Sequence, residues 1–206
     1  QQELGSKLRP YQIPHGDNDD KSVTLAELAR EAENYGLIAI HRPNGSVELL
    51  QKFISQGYPV VIRTWTKPGE DIGHYRVVRG YDDATGEIIQ DDSLQNKNLR
   101  FSYDYLDSIW QSFNYEYLVL LPLDKTQLAQ TILGDELDTS VAWKHARSHL
   151  LTNLASDPNN IYTIFNLSVA NFYLGNYAES VTYYEQVEHR LPFRMLWYQI
   201  EPIEAY

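Results

Sequence analysis

Cysteine is absent from all 206 residues, which excludes disulfides, thiolate metal sites and a cysteine nucleophile within this stretch. Basic charge is scarce: 17 Lys and Arg stand against 28 Asp and Glu, a net charge of −11. A general nucleic-acid binder needs a basic stripe for phosphates, so no nucleic-acid partner is expected. No apolar run approaches the roughly 18–20 residues that a membrane span requires. The opening QQELGSKLRP holds no apolar signal-peptide core. No glycine-rich phosphate loop is spelled anywhere, and no cofactor is expected. What is there is ordinary globular composition, 43% hydrophobic and 22% charged, enough for one ordinary domain or two small ones.

Both ends read as cuts. QQELGSKL has helical spacing through Leu4 and Leu8 but no N-cap before it, and LWYQIEPIEAY stops inside an apolar-periodic segment. The expectation is a piece of a longer protein.

The first half mixes periods. Thr24 and Glu27 spell a capping box before Leu25, Leu28, Ala29 and Ala32, and Gly36 closes the helix. Leu37–His41 reads as a strand. Ser46 opens a second helix with Val47, Leu50, Phe53 and Ile54 on one face, closed by Gly57. Tyr58–Trp65 is a β-branched run suited to a central strand. After a Pro/Gly loop at Lys67–Gly73, His74–Asp82 alternates, with Tyr75, Val77 and Arg79 on one side. Asp83–Gly86 is a turn, and Glu87–Asp92 returns as a hairpin partner. Ser102 caps a short helix through Tyr103, Leu106 and Trp110 before a last strand, Tyr115–Pro122. The predicted class for residues 1–122 is α+β with an antiparallel meander.

After Pro122 the strands stop and a helical repeat begins. Asp157-Pro158 recurs 34 residues later as Leu191-Pro192, the tetratricopeptide spacing. Leu167, Ser168, Ser180, Tyr184 and Pro192 stand where that repeat wants Leu, a small residue, Ala, an aromatic and Pro. One period earlier, Leu133, Gly134, Ala146, Leu150 and Pro158 hold the same offsets. Trp197 and Tyr198 open a third unit. Residues 123–206 are therefore predicted to form about two tetratricopeptide-like units plus the start of another.

Candidate chemistry gathers in the meander. His74 starts one strand and Asp92 ends its neighbour, so a carboxylate is placed to orient an imidazole, half of a nucleophilic triad. Asp91 is the alternative orienter. A hydrogen-bonded structural histidine is the competing reading, and it stays open here. His145 and His149 share metal-ligand spacing, but Ala146 stands where a zinc protease needs glutamate, so they read as helix surface. His15–Lys21 is oxygen-rich without calcium-loop spacing and reads as a solvated loop. No metal is expected. The sequons Asn44-Gly45-Ser46 and Asn166-Leu167-Ser168 fall in a helix entry and a repeat helix and carry no weight.

Gly73-His74-Tyr75, Gly80-Tyr81-Asp82-Asp83 and Asp92-Ser93 resemble the C39-like, papain-fold cysteine peptidase domain. LAELAREAENYGL, NGSVELLQKFISQGYPVVI and the strand ending LVLLP are similar to its upstream and downstream parts. The resemblance covers roughly residues 1–122. It implies a papain-like fold in which a cysteine of a Cys-Gly-Pro motif attacks, His74 deprotonates it, Asp92 orients His74, and a glutamine helps form the oxyanion hole. Nothing here matches the cysteine or that glutamine, and Gln1 and Gln2 receive no role. The resemblance further implies a peptide or protein substrate and a bacterial, extracytoplasmic setting. Tyr75, Trp65 and Trp110 are then candidates to line the cleft, with aromatic core packing the competing and favoured reading for Trp110. The second expectation is an inactive peptidase-like scaffold whose repeats bind a peptide or partner helix.

Overall fold

A computed structural model describes residues 2–8 and 23–206, beginning with the short helix α1 (Gln2–Leu8). Gln1 and the loop His15–Lys21 lie outside the described residues. Helix α2 (Leu25–Glu33) starts on the expected capping box: the Glu27 amide donates to Thr24 Oγ1 at 3.1 Å, and Glu27 Oε2 accepts from the Thr24 amide at 2.8 Å. Strand β1 (Leu37–Arg42) follows, and then α3 (Val47–Ser55), capped by Ser46.

Six strands make one antiparallel sheet in the order β1-β6-β2-β3-β4-β5. The meander is β2 (Val60–Trp65), β3 (Gly73–Asp82) and β4 (Glu87–Asp91), as the alternation predicts. Two features go beyond the sequence reading. Leu99–Ser102 forms a fourth meander strand, β5, leading into α4 (Tyr103–Trp110). Strand β6 (Tyr117–Pro122) does not extend the meander but inserts between β1 and β2. In β3 a bulge falls between Val78 and Gly80, where a Cβ on Gly80 would meet Ile89 at 3.3 Å.

Alternation sorts the strands onto two faces. Ile40, Val60, Ile62, Val78, Ile88 and Val119 pack under α3 and α4 with Leu50, Phe53, Leu106 and Trp110. Val61, Tyr75 and Leu118 pack on the opposite face with Leu25 and Ala29 of α2. Each fully buried large apolar side chain contributes about 1.5–3 kcal/mol relative to exposure.

Beyond Pro122 the chain is helical: α5 (Thr126–Leu133), α6 (Thr139–Ser156), α7 (Ile161–Tyr173), α8 (Tyr177–Glu185), and two short helices, α9 (Met195–Tyr198) and α10 (Glu201–Glu204). Helices α7 and α8 pair through small residues: Ser168 Oγ donates to the Ser180 carbonyl at 2.7 Å, and Ser180 Oγ returns to the Ser168 carbonyl at 2.8 Å. The earlier period is less regular. Gly134, at φ 57°, stops α5, whose Ala129 and Leu133 pack into the sheet core rather than into a hairpin core shared with α6. The stretch read as opening a third unit is broken at Gln199, whose extended backbone separates α9 from α10.

A second core spans the two halves. Trp65, Ile109 and Phe113 from the sheet side pack with Trp143, Leu150, Ile164, Phe165 and Leu167 from the helices. Helix α7 is consequently buried almost all round, from Thr163 to Asn171.

Candidate active site

The loop before β3 ends at Gly73, and the register sets Gly73 opposite Trp65 and His74 opposite Thr64. Residues 74 and 76 share a face, because successive strand side chains alternate. Arg76 on that face is fully buried and spends its guanidinium on four neighbours, the longest contact running from Nη1 to Gln95 Oε1 at 3.4 Å. Nε donates to Thr64 Oγ1 at 2.9 Å, Nη2 to the Thr66 carbonyl at 2.7 Å, and Nη1 to Asp92 Oδ2 at 2.5 Å.

Asp92 sits just past β4, with its amide bonded to the Asn96 carbonyl at 2.9 Å. Its Oδ1 lies 2.6 Å from His74 Nε2 and accepts the Leu94 and Gln95 amides at 2.7 and 3.1 Å. Burial alone raises a carboxyl pKa, but the bonds from Leu94, His74 and Gln95 outweigh it and hold Asp92 below its ordinary value. An ionised carboxylate only accepts hydrogen bonds, so His74 Nε2 carries the hydrogen. In the neutral ring, Nδ1 then keeps a lone pair, and it makes no hydrogen bond among the described residues. The His74 side chain keeps 18% of its surface exposed while that of Asp92 is sealed. Such an arrangement can accept a proton at Nδ1 and stabilise the resulting imidazolium through Asp92.

Asp91 is engaged elsewhere: Oδ2 accepts from Arg79 Nε at 2.9 Å and Oδ1 from the Asn98 amide at 2.8 Å. The aromatic candidates do not gather around His74. Tyr75 points to the opposite face, beside Arg63, with 5.3 Å between the guanidinium carbon and the ring centre. Trp65 and Trp110 are each 1% exposed in different cores. His145 and His149 turn to different partners, Glu136 Oε1 at 2.8 Å and Asn44 Oδ1 at 2.7 Å. Asn166 is buried and donates to the Gln111 carbonyl at 2.6 Å.

A second histidine–carboxylate pair escaped the sequence reading. His41 Nε2 lies 2.6 Å from Glu116 Oε1, and Arg63 Nη1 lies 3.5 Å from Glu116 Oε2. Burial pushes the Glu116 carboxyl up, while Arg63 and His41 together pull it below the ordinary value. Burial also pushes Tyr75 up to about 12 against the opposing charge of Arg63. An arginine inside the apolar run of β2 was the available signal, since a buried cation requires an acidic partner.

The Peptidase_C39 like family matches residues 11–119, slightly more than half of the chain. A crystal structure described as a C39-like peptidase from Bacillus anthracis aligns with a TM-score of 0.42 at 20% identity. That alignment covers 48% of this chain and 60% of the other, so the chain spans about three fifths of that protein's length. No curated protein matches the sequence.

Proposed function

Because the chain belongs to the Peptidase_C39 like family, we propose that residues 1–122 are the histidine–aspartate half of a cysteine-type peptidase centre. The thiol is supplied by a segment outside these 206 residues. The observation that carries this reading is the pair itself: Nε2 of His74 is fixed on Asp92 at 2.6 Å, and Nδ1 makes no hydrogen bond among the described residues. In the proposed cycle, Nδ1 takes the thiol proton and the thiolate attacks the peptide carbonyl. The imidazolium then gives that proton to the departing amine as the C–N bond breaks. Water, deprotonated by the same nitrogen, cleaves the thioester and releases the acid and the thiol. Asp92 stays ionised throughout and holds the ring. A peptide or protein is the substrate class.

The test uses the longer chain encoded with its upstream sequence. If that sequence contains a cysteine, iodoacetamide should label it at neutral pH, and His74→Ala should slow the labelling. Equal rates with and without His74 would falsify the assignment.

A second reading, an inactive peptidase-like scaffold, is favoured by one observation, the absence of any cysteine. In it the tetratricopeptide-like helices bind a protein or peptide. Buried side chains of this half already hold main-chain oxygens of this chain: Asn166, inside α7, holds the Gln111 carbonyl at 2.6 Å, and Gln199 Nε2, in the break between α9 and α10, holds that of Ser112 at 3.1 Å. A reading frame without an upstream cysteine selects this alternative.

A further inference from the structure

The residue before His74 has no side chain, and the space beside it is filled. A Cβ on Gly73 would lie 2.9 Å from Cζ of Tyr198 and 3.0 Å from Cε1 and Cε2. The phenol ring therefore rests on the backbone at the first residue of β3, one peptide bond from the residue that bears the imidazole.

Other contacts tie the same C-terminal segment to the same place. Arg63 Nη1, on β2, donates to the Tyr198 carbonyl at 3.0 Å. The Tyr198 ring meets Trp65 edge-on at 5.9 Å, and Trp65 is the register partner of Gly73. Arg194 Nη1 reaches Asp71 Oδ1 at 2.7 Å, two residues before Gly73. Residues 194–198 thus hold the loop just before the strand, the strand's first residue and the pairing strand. The rest of the loop is held locally: the Thr66 amide donates to the Ile72 carbonyl at 2.9 Å, Thr66 Oγ1 donates to Glu70, Lys67 pairs with Glu70 at 2.8 Å, and Arg76 Nη2 donates to the Thr66 carbonyl at 2.7 Å.

We propose that Tyr198 is a positioning residue for His74. Strand ends fray because their last pairs have neighbours on one side only. A ring seated on Gly73 stops that fraying and fixes the depth at which the imidazole meets Asp92. The helical half thereby sets the geometry of the pair through the backbone at Gly73. Its catalytic consequence rests on the reading of His74 as the base, but the placement is measurable without any reaction.

The test is nitrogen-15 NMR of the histidine ring nitrogens in the folded 206-residue chain, with His74 assigned by His74→Gln. His145, paired with Glu136, and His189, whose side chain is 89% exposed, serve as internal controls. Tyr198→Phe keeps the ring and should leave the His74 pattern unchanged. Tyr198→Leu and Tyr198→Ala should abolish the slowly exchanging Nε2 proton signal of His74 and leave His145 and His189 in place. Gly73→Ala, whose new Cβ displaces the ring, should do the same and serves if Tyr198→Ala does not fold. Unchanged His74 signals in folded Tyr198→Leu overturn the proposal. So does loss of the His145 and His74 signals together, which marks general loosening. Labelling insensitive to His74 overturns the catalytic reading alone, without moving these NMR outcomes.

Discussion

Arg76 and His74 hold the two oxygens of one carboxylate: Arg76 Nη1 lies 2.5 Å from Asp92 Oδ2, and His74 Nε2 lies 2.6 Å from Oδ1. The arginine is fully buried, so its charge is compensated only inside the protein. Removing it leaves the buried carboxylate without its cation. Arg76→Met is expected to lower unfolding free energy by about 3–5 kcal/mol, the usual cost of breaking a buried pair from one side. Arg76→Lys keeps the charge but loses the fork to Thr64 and Thr66, and should fall in between. Urea midpoints with unchanged slopes check both.

Acid should unfold this protein through identifiable groups. Asp92 and Glu116 both have folded values held below their ordinary ones. The unfolded chain therefore binds more protons in acid. Stability from these groups is fully present above the ordinary carboxyl range, about pH 4, and is lost as pH falls through the folded values. Thermal midpoints measured from pH 7 to 3 should drop steeply below about pH 4. Asp92→Asn should flatten that drop, and an equally steep drop in this variant refutes the attribution to Asp92.

Glu201 has the opposite sign. Burial raises its carboxyl, although Tyr173 Oη donates to Oε1 at 2.7 Å. A raised folded value means stability that is present below the unfolded pKa and lost as pH rises through the folded one. Glu201→Gln keeps an acceptor for Tyr173 without the charge. Its melting temperature at pH 7 should equal or exceed that of the parent, and the difference should vanish near pH 4.

Gly45 sits where a side chain does not fit. A Cβ there would lie 2.6 Å from two carbons of the Trp110 ring and 2.8 Å from the Tyr115 carbonyl. Trp110 is fixed by its Nε1 bond to the Glu116 carbonyl at 2.9 Å, so the ring cannot yield cheaply. Gly45→Ala should cost about 1–3 kcal/mol by overpacking, measured by urea denaturation.

The seam between the halves should behave as one cooperative unit. Phe113 is 1% exposed and packs on Trp65 at 4.5 Å within the shared core. Phe113→Ala should cost about 3–5 kcal/mol. Far-UV circular dichroism and tryptophan fluorescence should still report a single transition at the same midpoint. Two separated transitions would mean that the halves unfold independently.

Local signals carried well from sequence to structure. The caps at Thr24, Ser46 and Ser102 each accept the backbone amide expected of them. The alternation through β3 placed His74 opposite in face to Tyr75, and a hairpin turning at Asp83–Gly86 brought Asp92 to the histidine. What escaped was non-local. No periodicity says that β6 slips between β1 and β2, since that pairing is decided by which hydrophobic faces the helices leave to cover. Arg76 reads as a polar position of an alternating strand and Arg63 as a lone cation in a β-branched run, and neither pattern names the partners Asp92 and Glu116 that make their burial tolerable. The change from strands to helices after Pro122 was legible, but not the fate of α5. There Gly134 ends the helix, and Ala129 and Leu133 find a nearer apolar surface on the sheet side.

The core shared by Trp65, Phe113 and α7 has a consequence for how such a protein can change over generations. Helices that only abutted the sheet could be exchanged by recombination as a cassette, keeping the sheet unaltered. Here a foreign set of helices would meet Phe113 and Trp65 with the wrong surface and leave them wet. Inheritance of the two halves is therefore coupled: a drift in size at Phe113 calls for an answering change on α7, and a crossover after Pro122 strands one half without its complement.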